Sequence, residues 1–186
     1  MSGHFFAGVK QLAEWVELSG DEHFSIDGTL LDAWASHKSF MRKDGSSNPP
    51  DDNSRNPSRD FAGEKRSNAT HESTTDPDAR LARKSDGDAS RLCYMGHVLM
   101  ENRNGLVVDV RVSAATGMAE REESLKLLQT NAKSGATVGE DRGYDVDTHI
   151  KALQALGVIP HVAAKRKGSA VPDDIRQSEG YATSLK

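Results

Sequence analysis

A single cysteine, Cys93, stands among 186 residues, so neither an internal disulfide nor a cluster of zinc-binding thiolates is available. It lies in Leu92-Cys93-Tyr94-Met95, where a small buried hydrophobe is the expected role. Aromatic residues make up only 5% and hydrophobic residues 35%, against 28% charged, which limits the chain to a modest core. The formal net charge is -4, so no basic field advertises nucleic acid, and any such contact must come from local clusters. No run nears the roughly 18 apolar residues of a membrane-spanning helix. Residues 1–10 have neither a basic start nor a long apolar stretch. No membrane partner and a cytoplasmic location are therefore expected.

What is present reads as an alternation of strands and helices. Phe6, Val9, Leu12, Ala13 and Val16 recur at helical spacing, and Ser19-Gly20 ends that helix. Residues 24–31 form a short apolar strand that carries an acid, Asp27. From 41 to 91 the chain is rich in Ser, Asn, Asp, Pro, Lys and Arg and has almost no apolar periodicity, which predicts a long, mostly irregular insertion. Residues 92–101 and 106–112 read as two strands joined by Asn102-Arg103-Asn104-Gly105, a hairpin signal. Thr116 suits a helix N-cap ahead of 118–132. A strand near Thr137-Val138 leads to Gly139-Glu140-Asp141-Arg142-Gly143-Tyr144-Asp145. A helix over 146–156, with Ile150, Leu153 and Leu156 inward, stops at Gly157, and residues 158–164 form a last strand. The tail from 165 to 186 is polar and carries no clear element. The order is that of an α/β fold.

Two acids stand out. Asp27 lies inside an apolar strand, and Asp141 follows the expected end of another. Carboxylates at strand ends can converge and hold divalent ions, and two such ions about 4 Å apart can clamp both the attacking and the leaving oxygen of a phosphodiester. Mg²⁺ suits this role because it takes carboxylate oxygens and keeps its waters. A structural alternative stands beside each: a Gly-flanked Asp such as Asp141 is a common turn former, and a strand acid such as Asp27 can be a satisfied polar residue.

Two families share parts of this pattern. Ser25-Ile26-Asp27-Gly28-Thr29-Leu30-Leu31-Asp32 resembles the Asp-x-Asp-Gly-Thr strand end of the haloacid dehalogenase superfamily, but Ser25 occupies the position of the aspartyl nucleophile. A wider resemblance covers His23 to Tyr181. It rests on His23-Phe24-Ser25-Ile26-Asp27-Gly28-Thr29-Leu30-Leu31-Asp32-Ala33-Trp34-Ala35-Ser36, Lys65-Arg66-Ser67-Asn68-Ala69-Thr70-His71 and Ser73-Thr74-Thr75-Asp76-Pro77-Asp78-Ala79-Arg80-Leu81. It continues through Tyr94-Met95-Gly96-His97-Val98-Leu99-Met100-Glu101-Asn102-Arg103, Thr116-Gly117-Met118-Ala119-Glu120-Arg121-Glu122 and Gly139-Glu140-Asp141-Arg142-Gly143-Tyr144-Asp145. These segments resemble a bacterial insertion-sequence transposase of the DDE class, in the insertion-sequence-five-like branch.

That resemblance implies an RNase H-like fold, a mixed sheet flanked by helices. Residues 1–20 would be an N-terminal helical segment, 21–164 the catalytic core with its insertion at 41–91, and 165–186 a polar tail. It implies that Asp27 and Asp141 are catalytic metal ligands for Mg²⁺-dependent cleavage and strand transfer at insertion-sequence ends, with no covalent protein–DNA intermediate. DNA is then the main partner, with a second copy or a full-length transposase as protein partner. The family's third acid is a Glu on a helix expected just after Gly180-Tyr181-Ala182. The chain therefore reads as an internal piece that stops before it, inactive alone, and Glu179 lies too early, in a polar loop. The alternatives are a non-catalytic DNA-binding remnant and, further off, an Asp-Gly-Thr phosphatase.

Arg142, next to Asp141, and Lys165-Arg166-Lys167 are candidate phosphate contacts; Lys65-Arg66 and Arg83-Lys84 are further basic pairs. Ordinary solvated surface is the alternative for each. The seven histidines show no metal-ligand spacing, and Trp15 and Trp34 are expected to pack.

Overall fold

The computed structural model describes residues 2–46, 66–85 and 87–184. In chain order the elements are α1 (Ser2–Trp15), β1 (His23–Asp32), β2 (Phe40–Arg42), β3 (His71–Ser73), β4 (Arg80–Ala82), β5 (Arg91–Glu101) and β6 (Val107–Ala114). They continue with α2 (Ala119–Asn131), β7 (Thr137–Glu140), α3 (Asp147–Ala155), β8 (Ile159–Val162), α4 (Asp173–Arg176) and α5 (Glu179–Ser184). The principal sheet is mixed and has helices around it, compatible with the RNase H-like expectation. No helix of the described residues is long and apolar enough to cross a membrane.

The chain divides into two compact units. The first holds residues 1–28, 97–111 and 120–186. Its strands run in the order β5-β1-β7-β8, with β6 paired to β5. β1 pairs in parallel with β7, and β7 in parallel with β8. Phe24, Ile26, Leu99, Val138 and Val162 from the strands meet Leu127, Leu128, Ile150 and Leu153 from α2 and α3 to form the core. The β5–β6 hairpin turns through Gly105, whose φ of 72° is in the left-handed region that a side chain disfavours. Gly157 ends α3 in the same way, at φ 75°.

The second unit holds residues 29–96 and 112–119. Within it β2 and β3 form an antiparallel pair, and β4 pairs antiparallel with the first residues of β5. A small core of Phe40, Ala79 and Leu92 holds it together. Cys93 is buried there, in the role expected of it.

Four expectations change. The polar 41–91 stretch is not uniformly irregular, because β3 and β4 order part of it, and β2 spans its start. Hydrogen bonding does this where apolar periodicity is absent: Asn68 donates through Nδ2 to the Leu81 carbonyl (2.9 Å) and accepts the Leu81 amide through Oδ1 (2.8 Å). The rest of that stretch, residues 47–65 with Lys65, and Asp86, lie outside the described residues. The 165–184 tail holds two short helices, and Glu179 opens α5 rather than lying in a loop. Val171 and Tyr181 anchor that tail in the core, and the Tyr181 hydroxyl donates to the Val162 carbonyl (2.9 Å). Trp15 and Trp34 do not pack, at 80% and 96% exposed. Trp15 ends a helix that is itself largely exposed, and Trp34 follows the end of β1. Finally, α2 begins at Ala119, so Thr116 precedes it and contributes only its carbonyl, to the Ala119 amide.

Candidate active site

The parallel register of β1 and β7 matches His23 with Thr137, Phe24 with Val138 and Ser25 with Gly139. Beyond the last paired residues Asp27 continues β1, and Asp141 follows β7, which ends at Glu140, so both acids come after the same end of this parallel ladder. Side chains alternate across a strand, and burial follows that alternation. Phe24, Ile26, Val138 and Glu140 are buried, whereas Asp27 and Asp141 are exposed on the opposite face. Both predicted acids are therefore exposed beyond the same end of the β1–β7 ladder.

Each carboxylate is only lightly held. Asp27 Oδ1 accepts the Gly28 amide at 2.8 Å. Asp141 Oδ1 accepts the Gly143 amide at 2.6 Å and caps a single 3₁₀ turn, Arg142–Tyr144. Asp141 is thus also the turn former that its glycine neighbours suggested. Neither forms an ion pair among the described residues.

A third acid, which the sequence does not mark, joins them. Glu120 lies in the first turn of α2 and is half-buried. Burial pushes its carboxyl above the usual range, and the negative charges of Asp141 and Asp27 add to the effect. Gly28 makes room for it: a Cβ at Gly28 would lie 2.8 Å from Glu120 Oε1 and 3.2 Å from its Cγ. Arg121 Nη1 reaches the Gly143 carbonyl at 3.4 Å, which ties the start of α2 to the turn after Asp141.

Tyr144 closes that turn. It is 2% exposed, and its buried hydroxyl has no hydrogen-bond partner among the described residues. Burial raises its phenol, and the charges of Glu120, Glu140, Asp141 and Asp27 raise it further. Beneath it, Glu140 Oε2 accepts His149 Nε2 at 2.8 Å, and Glu140 Oε1 accepts the Ser124 hydroxyl. The Tyr144 and His149 rings lie 5.5 Å apart. This buried layer fixes the turn that carries Asp141.

Oxygen donors of this kind fit a hard divalent cation, and both the Gly28 cradle and the orphaned Tyr144 hydroxyl are consistent with a polar occupant. Among the described residues no three His, Cys, Asp or Glu side chains converge closely enough, as they stand, to hold an ion. The present rotamers explain this in part, since Asp27 and Asp141 each turn an oxygen to a backbone amide.

The predicted basic residues divide. Arg142, Arg166 and Lys167 are exposed. Lys165 is more constrained: its amide donates to Asp145 Oδ2 at 2.7 Å, and its ammonium group donates to the Asp145 carbonyl. The concavity lined by Lys10, Glu14, Arg103 and Lys133 includes none of the three acids.

The family described as Transposase DDE domain matches residues 19–183, which contain Asp27, Glu120 and Asp141. The chain belongs to that family, and its function is related to transposition. No curated protein and no solved structure matches it.

Proposed function

We propose that this chain carries the metal-binding half of a transposase active site, in which Asp27 and Asp141 hold Mg²⁺ for cleavage and strand transfer at insertion-sequence ends. The observation that carries the reading is that Asp27 on β1 and Asp141 just after β7 are both exposed beyond the same end of a parallel ladder, inside the matched domain. When bound, the cation supplies Lewis acidity to the phosphodiester oxygens. Asp27 and Asp141 bind it through carboxylate oxygens that face solvent, where DNA can approach. The Gly143 amide keeps Asp141 oriented, and the buried Glu140–His149 pair keeps the turn in place. Arg142, Arg166 and Lys167, with the remaining charge of Lys165, meet backbone phosphates without reading bases.

Phosphatase chemistry finds no support at this strand. Ser25 stands where the nucleophile would be, and its hydroxyl donates to Asn102 Oδ1 at 3.0 Å. The branch resembling insertion sequence five, and DNA-end binding by a second copy or a full-length transposase, belong to the same reading.

The test is nicking of supercoiled plasmid DNA bearing element ends, with Mg²⁺ or Mn²⁺. Metal-dependent nicking that disappears in both Asp27→Asn and Asp141→Asn supports the proposal. Nicking that survives both substitutions refutes it, and DNA retention without metal-dependent nicking favours a purely DNA-binding role.

A further inference from the structure

We infer that Trp34 is an aromatic platform on which an unpaired nucleobase stacks, with Lys38 meeting a phosphate of the same strand. The inference rests on the DNA substrate of the reading above but not on its metal, and its residues lie in the second unit, apart from Asp27 and Asp141.

Trp34 is 96% exposed, more than any other large hydrophobic side chain among the described residues. Looseness is not the cause. Ala33 and Ala35, on either side of it, pack against the small core of Phe40, Ala79 and Leu92. The Ala33 amide donates to the Leu92 carbonyl at 2.9 Å. The Ser39 amide and hydroxyl donate to the Ser36 carbonyl at 3.0 and 2.8 Å, and Phe40 is buried. The segment is pinned at both ends while the indole stands in solvent, beside a depression lined by Ala33, Trp34, Ala35 and Ser36. A ring held in this way loses little freedom when a flat partner covers it.

Charge selects the partner. Ser36, His37 and Lys38 are exposed next to the indole, and the Lys38 side chain forms no ion pair or hydrogen bond among the described residues. The carboxylate of Asp32 is already matched by Arg91 at 3.2 Å. Lys and Arg outnumber Asp and Glu among the described residues of this unit, although the whole chain stands at -4. Trp15 is the contrast: it is 80% exposed, but Glu14 and Glu17 flank it, and Phe5, Val9 and Leu12 are exposed on the same helix, a surface suited to protein rather than to phosphate. Proteins that hold single strands combine cations along the backbone with aromatic faces under the bases. Bases within a duplex are covered by their neighbours, whereas a cleaved DNA end presents the free face of its terminal base.

The experiment uses the full chain carrying Trp15→Phe, so that Trp34 alone emits, in EDTA without added metal. A short oligothymidylate should quench the Trp34 fluorescence, and inorganic polyphosphate should not. Anisotropy of the dye-labelled oligothymidylate should show a loss of affinity of roughly ten-fold for Trp34→Leu, with Trp34→Phe retaining most of it. Lys38→Gln should lessen the salt dependence by about one phosphate contact. Equal melting temperatures establish that each variant is folded. If Trp34→Leu binds as the parent does, if polyphosphate quenches equally, or if the parent binds duplex but no oligothymidylate, this inference fails alone. If the parent binds neither, the DNA-contact reading fails with it. If Trp34 emission changes with protein concentration alone and Trp34→Leu turns a sedimenting dimer into a monomer, the ring belongs to an interface between copies and the inference is overturned.

Discussion

Glu101 at the end of β5, and Asp27 on β1 with Asp141 just after β7, are acids of the same unit held in opposite ways. Glu101 is fully buried and accepts the amides of Gly20 (3.1 Å), Arg103 (2.9 Å), Asn104 (3.0 Å) and Leu106 (3.0 Å). Burial by itself would raise its carboxyl, but these four backbone donors outweigh it and hold the group below the usual range. Asp27 and Asp141 are exposed, each accepts one nearby amide, and a third acid stands beside them. A carboxylate whose lone pairs are taken by backbone donors is a structural part. One with spare lone pairs among like charges is arranged for something positive.

The largest effect that sharpens this contrast is on stability. Glu101→Ala strips four amides of their acceptor and should cost about 3 kcal/mol, since each orphaned buried donor costs roughly 1–3 kcal/mol and the turn can admit some water. Urea unfolding measures it, and a loss well under about 1 kcal/mol would break the comparison. A smaller effect follows with pH. Because the folded carboxyl of Glu101 is depressed, its contribution is complete above the unfolded value near about 4.3 and fades as pH falls through the lower folded value. Acid unfolding of the parent should therefore steepen below about pH 4, and Glu101→Gln should flatten that limb. The smallest effect is at the other pole: Asp27→Asn or Asp141→Asn should change metal-free stability by under about 1 kcal/mol, or raise it slightly by relieving like-charge repulsion. The same substitutions should abolish any rise in melting temperature on adding Mg²⁺.

Much of the strand framework is legible in the sequence because it follows simple periodicities. The hairpin at Asn102–Gly105, the helix ending at Gly157 and the strand that precedes Asp141 all lie where turn chemistry and apolar spacing place them. Asp27 and Asp141 are legible as acids at unusual strand positions. Glu120 is not: in Ala119-Glu120-Arg121-Glu122-Glu123 it looks like one more solvated helix charge. Only the space above Gly28, the neighbour of Asp27, places it there. Tyr144 is hidden in the same way, since an orphaned hydroxyl has no sequence signature. The tail defies its polar composition because its docking depends on a few specific bonds. Asp145 accepts the amides of Lys165 and Ala170, both at 2.7 Å, and the Tyr181 hydroxyl accepts the Ala164 amide at 3.1 Å. Composition says nothing about such anchors, just as the apolar spacing of α1 does not guarantee its burial.

The central claim, that Asp27 and Asp141 share a cation, is tested most directly by loading the chain with Fe²⁺ in place of Mg²⁺ and generating hydroxyl radicals with ascorbate and peroxide. Backbone cleavage is expected near residues 27 and 141 together, competed away by Mg²⁺ and lost in Asp27→Asn. Cleavage centred elsewhere, or unchanged in Asp27→Asn, would contradict the account.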